Sequence, residues 1–179
     1  MTIVHDILKQ MPGLSQPQRK FLTTLFVTIL VLRGRVNFRN LSRYCAYSER
    51  TIARQFRAPF DWPDFHQHVL MTALDPRAEL VSAHDTSFLP KSGTQTFGLG
   101  HFFNGCASRA ERGLEISALA VVAVTRRCAF TLAVAQTPPG EEATKTAQEE
   151  TRVDFYKQQL HAHRHRLPPS LKYHCVAGS

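Results

Sequence analysis

The run E79-L-V-S-A-H-D-T-S-F88 begins with apolar residues and reaches a carboxylate, Asp85, followed by the hydroxyls of Thr86 and Ser87. Its composition predicts a short buried strand that ends at this acid. A polar segment punctuated by lysine and glycine, K91-S-G-T-Q-T-F-G-L-G100, comes next. Two more apolar, β-branched runs follow, I116-S-A-L-A-V-V-A-V124 and C128-A-F-T-L-A-V-A-Q-T137, separated by the basic turn T125-R-R127. Three successive strands, the first ending in an acid, predict a sheet that holds one carboxylate still. That arrangement suits metal-assisted chemistry, because a divalent cation needs oxygen ligands on a backbone that does not move.

Upstream of this sheet the chain is basic. Residues 1 to 60 contain ten Lys/Arg against two acids, a net of +8, and the remainder contains twelve against twelve. A single-sign field confined to one segment suits a polyanion partner, although a basic region is also an ordinary solvated surface. Helices are predicted over His5 to Met11 and over Gln16 to Arg33, the second with Ser15 as N-cap, Pro17 in its first turn and Gly34 as its stop. Its residues Phe21, Leu22, Leu25, Phe26, Ile29, Leu30 and Leu32 form a wide apolar face for packing. R39-N-L-S-R-Y-C-A46 predicts a short helix, and E49-R-T-I-A-R-Q-F-R57 a second one capped by Ser48. Ile52 and Phe56 face inward in this reading, and Arg50, Arg54 and Arg57 share the opposite flank. Two short helices with a basic second one match the helix-turn-helix plan, in which that second helix enters the major groove of DNA. Arg43, Arg50, Arg54 and Arg57 are the candidate DNA contacts of this region.

The motifs H84-D-T-S-F88, K91-S-G, T96-F-G-L-G-H-F-F-N-G-C106, G113-L-E-I-S117 and the run AFTLAVAQTP from Ala129 to Pro138 occur in an order that resembles bacterial insertion-sequence transposases of the DDE type. The resemblance implies a ribonuclease H-like catalytic domain and DNA transposition by metal-dependent phosphodiester hydrolysis and strand transfer at element ends. It implies that Asp85 is the first acid of the catalytic triad and a ligand of Mg²⁺ or Mn²⁺. It also raises the DNA-binding reading of the basic amino-terminal helices. The alternative reading of Asp85 is an acid that caps a turn. Lys91 is a candidate phosphate contact, or simply a solvated loop lysine. Glu115 is not counted as the third acid, which the family carries much further along.

The expected fold is therefore α/β: a helical bundle with helix-turn-helix character over 1–60, a connector over 61–78, and an incomplete ribonuclease H-like mixed sheet with a covering helix over 79–179. The covering helix is predicted from Glu141 to Leu160, with Val153, Tyr156 and Leu160 as its contact face. Beyond it, His161, His163 and His165 alternate and would share one side of an extended backbone, but without a fourth ligand a flexible tail is the better reading. L171-K-Y-H-C-V-A-G-S179 begins as a further strand. The family carries its second acid in a V-A-D-G pattern at this point, and here the text is V176-A-G-S179 with no Asp. The expectation is a truncated or frame-shifted product that is inactive alone, or one half of an enzyme whose carboxyl-terminal half is encoded separately. A non-catalytic DNA-binding protein or repressor at element ends, or a decayed product, are the alternatives.

Several classes are disfavoured. The glycines Gly93, Gly98, Gly100, Gly105 and Gly113 do not form a G-x-x-x-x-G-K-[ST] loop, so no nucleotide is expected; they suit bends between strands. Phe97, Phe102 and Phe103 are read as packing over the sheet edge, with stacking on unpaired bases as the alternative. The run from Phe21 to Leu32 is shorter than the roughly 20 apolar residues of a spanning helix. No membrane is expected, and the expected location is the cytoplasm. Cys45, Cys106, Cys128 and Cys175 lie far apart, without the spacing of a zinc site, and are expected to be reduced. The partners expected are double-stranded DNA and, through an unpaired sheet edge, further copies of the chain.

Overall fold

A computed structural model describes residues 2–75, 77–93, 95–139 and 151–176, with the backbone alone for Thr2 and 172–176. The chain divides into two units, residues 1–68 and 69–179. In the first, α1 (Thr2–Gln10) and α2 (Gln16–Val31) are joined by a turn at Gly13, whose φ of 82° suits glycine. Ser15 caps α2 by accepting the Gln18 N–H, and Pro17 sits in the first turn. α2 is buried through Phe21, Leu22, Leu25 and Thr28. Its last turn is not: Ile29 is 42% exposed and Leu30 85%, so the wide apolar face expected along the whole helix packs only as far as Thr28.

Two short helices follow, α3 (Phe38–Leu41) and α4 (Glu49–Phe56). The predicted helix over Arg39 to Ala46 is thus shortened to one turn, capped by Asn37 through the Asn40 N–H at 2.8 Å, and Arg43 lies in the turns beyond it. Leu41 and Ile52, each 1% exposed, bring the two helices onto the core made by Ile7, Leu8, Met11, Phe21 and Leu22. Phe21 meets Tyr47 and Phe56 edge to face, at 5.5 and 6.3 Å between ring centroids.

The region expected as a connector is largely helix α5 (Trp62–Ala73), and the division between the units falls inside it. Its first half contributes Phe65, stacked on Phe26 at 5.0 Å, to the helical unit. In the second half, Leu70 packs with Leu80, Val121 and Ala123 under the sheet.

The sheet has five strands: β1 (Leu80–Pro90), β2 (Gly100–Asn104), β3 (Arg109–Ala123), β4 (Cys128–Gln136) and β5 (Leu171–Val176). β3 is the spine. Its 15 residues pair with β1 on one side, from Leu80 opposite Ala123 to Pro90 opposite Gly113. On its other side they accommodate β2 near the start and β4 near the end. Two hairpin turns make this possible: Ser108 and Arg127 take positive φ of 51° and 50°, and Ala107 and Arg127 donate back to Asn104 and Val124. β5 runs parallel to β1, with Val176 beside His84, and is the outermost strand on that side of the described sheet. Two expectations are corrected here. β2 is a strand, although its stretch has the sequence of a loop with packing aromatics, and β1 does not end at Asp85 but continues to Pro90. The reason is the length of β3, which offers partners Ser117 to Gly113 for the residues after Asp85.

Helix α6 (Arg152–His163) covers one face of the sheet and is started by a capping box between Thr151 and Asp154. The part of the predicted helix before Thr151 lies outside the described residues. Its contact face is made by Tyr156, Gln159 and Leu160; Val153, expected to join them, is 55% exposed. The three histidines expected in an extended tail are helical instead, His161 and His163 in the last turn of α6 and His165 in a short 3-10 helix.

Candidate functional site

Strand alternation decides what Asp85 can do. On β1 the even positions Leu80, Ser82 and His84 are buried, and the odd positions Val81, Ala83, Asp85 and Ser87 occupy the opposite face. β3 follows the same division: Glu115, Ser117, Leu119, Val121 and Ala123 are buried beneath the helices, and Ile116, Ala118, Ala120 and Val122 share the face of Asp85. Asp85 is exposed in the middle of β1, with Ala118 as its cross-strand neighbour and Val134 beyond it. One carboxylate oxygen accepts the Thr86 N–H at 2.9 Å, which orients the group and leaves its other oxygen open. The carboxylate therefore sits on a rigid strand amid small apolar side chains. Among the described residues no group of three or more His, Cys, Asp and Glu side chains could hold a metal ion.

The covered face holds a polar network that the sequence pattern alone does not announce. His84 Nε2 lies 2.9 Å from Gln159 Oε1 and 3.0 Å from Ser117 Oγ, and Ser117 also donates to Gln159. Gln159 in turn donates to the Ser117 carbonyl at 3.3 Å. Beside this cluster, Tyr156 donates to Glu115 at 2.6 Å, and Arg152 approaches the second Glu115 oxygen at 3.9 Å while lying 5.0 Å over the Phe102 ring. Burial first, and the bond to Glu115 second, push the Tyr156 hydroxyl up to about 12. These polar groups answer one another, as a buried network requires. Glu115 is thus a structural acid on the far side of the sheet from Asp85. Glu111 stands further along the same strand, fixed by Asn104 at 2.7 Å and Arg109 at 2.6 Å, and those hydrogen bonds hold its carboxyl below the usual range. The period-two recurrence of Glu115, Ser117, Leu119 and Val121 is the available signal, since polar residues in phase with a buried apolar set point into the core.

In the helical unit, Ser48 caps α4 through the Thr51 N–H at 3.3 Å, and Ile52 anchors the helix in the core. Arg50, Arg54 and Arg57 are exposed and line one open concavity with Ser48, Thr51 and Ala53. Phe56, expected to face inward, is 47% exposed, although its ring touches Phe38 and Phe21. Arg43 is exposed before α4, and Lys91 is exposed in the loop after β1. Among the described residues none of these five cations has an ion-pair partner.

Cys45, Cys106 and Cys128 are free thiols. No described helix is long and apolar enough to cross a membrane. Compared with protein-family models and with curated proteins, the chain matches none.

Proposed function

We propose that this chain is the DNA-binding and first-acid portion of a DDE-type transposase, with an amino-terminal helix-turn-helix and a partial ribonuclease H-like sheet. The observation that carries the reading is the strand order β4-β3-β1-β5 with Asp85 on the open face of β1. The antiparallel strands β1, β3 and β4, with the short β2 added at the start of β3, are followed by a covering helix and then by a strand parallel to the first, a plan of the kind the sequence resemblance implies. The register adds a second support: Val176, the last described residue, pairs with His84, the neighbour of Asp85. Residues 177–179 lie outside the described ones, and their sequence, Ala-Gly-Ser, contains no acid.

In such an enzyme divalent cations activate an attacking hydroxyl and stabilise the leaving oxygen at a phosphodiester. Asp85 alone does not fit that requirement, since a hard cation takes about six oxygen ligands and the described face adds none of carboxylate type beside it. In this reading the described residues supply the DNA-binding helices and the first acid, and the remaining ligands of a metal site lie outside them. A second reading, a non-catalytic DNA-binding protein at element ends, is favoured by the net +8 in residues 1–60 and needs no metal.

The DNA-binding part is tested by fluorescence anisotropy with duplex DNA across a salt series. Replacing Arg50, Arg54 and Arg57 with Ala is expected to lower affinity at least tenfold and to reduce the slope of log affinity against log salt by roughly 2 to 3, about 0.9 per lost phosphate contact. An unchanged affinity would remove the helix-turn-helix reading.

A further inference from the structure

We propose that Phe97 is a stacking platform for an unpaired nucleobase, held on the same face of the sheet as Asp85. The inference rests on the proposed function, in that it takes DNA as the ligand. Phe97 is 84% exposed, so its ring is presented to solvent and contributes little to the core. It is nevertheless not a loose loop tip. Gln136 Nε2 donates to the Phe97 carbonyl at 2.9 Å, and a side chain on the next residue, Gly98, would collide with that same Gln136 amide. Gly98 takes a φ of 70°, which turns the chain back toward β2 immediately after the aromatic residue.

The register shows which face this clamp occupies. Gln136 is paired with Ile116, and Ile116 with Ser87, so Gln136 and Ser87 point to one side together, two residues along from Asp85. Two strand spacings across and two residues along put the backbones of Asp85 and Gln136 roughly 12 Å apart. A single DNA strand that runs past Asp85 meets the Phe97 clamp within about three or four nucleotides, at about 3.4 Å per step. Inside an intact duplex the base faces are covered by their neighbours, so an aromatic ring on this face finds a partner only where a base is unpaired. Stacking of that kind is tolerant of sequence, because every base has a π face. Lys91, exposed in the same loop, supplies a cation for the accompanying backbone.

The full chain is titrated with two labelled duplexes, one blunt and one ending in a short overhang that carries 2-aminopurine. The expected result is about tenfold tighter binding of the overhang, the preference produced by one stacked base, together with quenching of the 2-aminopurine fluorescence. Phe97→Ala should abolish both the preference and the quench and leave the blunt-duplex affinity intact, while Phe97→Trp should keep them. Equal binding of the two duplexes by the unmodified chain, or a quench that survives Phe97→Ala, overturns the stacking role and leaves DNA binding through α4 standing. Loss of binding to both duplexes in the unmodified chain overturns the DNA reading and this inference together. If Phe97→Ala instead weakens self-association in light scattering and leaves overhang preference unchanged, the ring contacts a second copy of the chain and the proposal fails.

Discussion

Asp85 and His84 are adjacent in the chain and separated by the sheet, and their different environments set what each can do. His84 is 3% exposed and bonded to Ser117 and Gln159, so its role is to fasten α6 to the strands. Asp85 has solvent on its side and makes one local hydrogen bond. Asp85→Asn is therefore expected to change stability by no more than about 0.5 kcal/mol. With Mg²⁺ or Mn²⁺ and a supercoiled plasmid carrying element ends, both forms should bind without nicking. Nicking that depends on Asp85 would mean that other oxygen ligands complete a site on that face, and Glu115 and Glu111 would not be among them, since their strand positions belong to the covered side. A second prediction concerns Tyr156. Its hydroxyl titrates at about 12 in the folded chain against 10 for an unperturbed tyrosine, so the folded state favours the protonated form. The stabilisation is complete below pH 10 and is lost as pH rises from 10 toward 12. Tyr156→Phe should cost about 1 to 3 kcal/mol in urea unfolding at pH 7, because it leaves the Glu115 carboxylate short of a partner. That difference should shrink when the same comparison is made at a pH near 12, where the hydroxyl titrates.

Among the elements, α4 shows how a short helix is made dependable. Eight residues are marginal in isolation. Ser48 satisfies an orphan N–H at the start, Glu49 lies in the first turn where the helix dipole favours an acid, and Ile52 is locked into the core. Ser48→Ala is expected to cost about 1 kcal/mol of thermal or denaturant stability. It should also loosen the spacing of Arg50, Arg54 and Arg57, so DNA affinity falls with it in an anisotropy titration. A stability loss with unchanged affinity would mean that the arginines act as independent surface charges. This helix and its cap are legible from sequence because both signals are local. The extent of α3 is not, since Arg39 to Ala46 carries adequate helix formers and is cut short by the turns that seat Leu41 and Tyr47 on α2.

At the scale of the whole molecule the described sheet ends at β5. β5 pairs with β1 on one side and has no described strand on the other. Unpaired backbone groups along such a strand recruit another chain. Light scattering across a concentration series should show dimers or larger species, and a sharp monomer at all concentrations would mean that the edge is covered. Charge segregation, the α4 cap, the basic β3–β4 turn and four of the five strands, all but β2, could be read directly from residues, because propensity and periodicity are properties of neighbours in the chain. The open-face position of Asp85 depended on the register between β1 and β3, in which a slip of one residue would have exchanged the faces of Asp85 and His84. The same register put Glu115 on the covered side, and the pairing of β4 with β3 brought Gln136, 39 residues away from Phe97, onto the Phe97 carbonyl. Such pairings join residues distant in sequence, whose partners are settled only when the strands assemble, so these relations were decided by the tertiary structure alone.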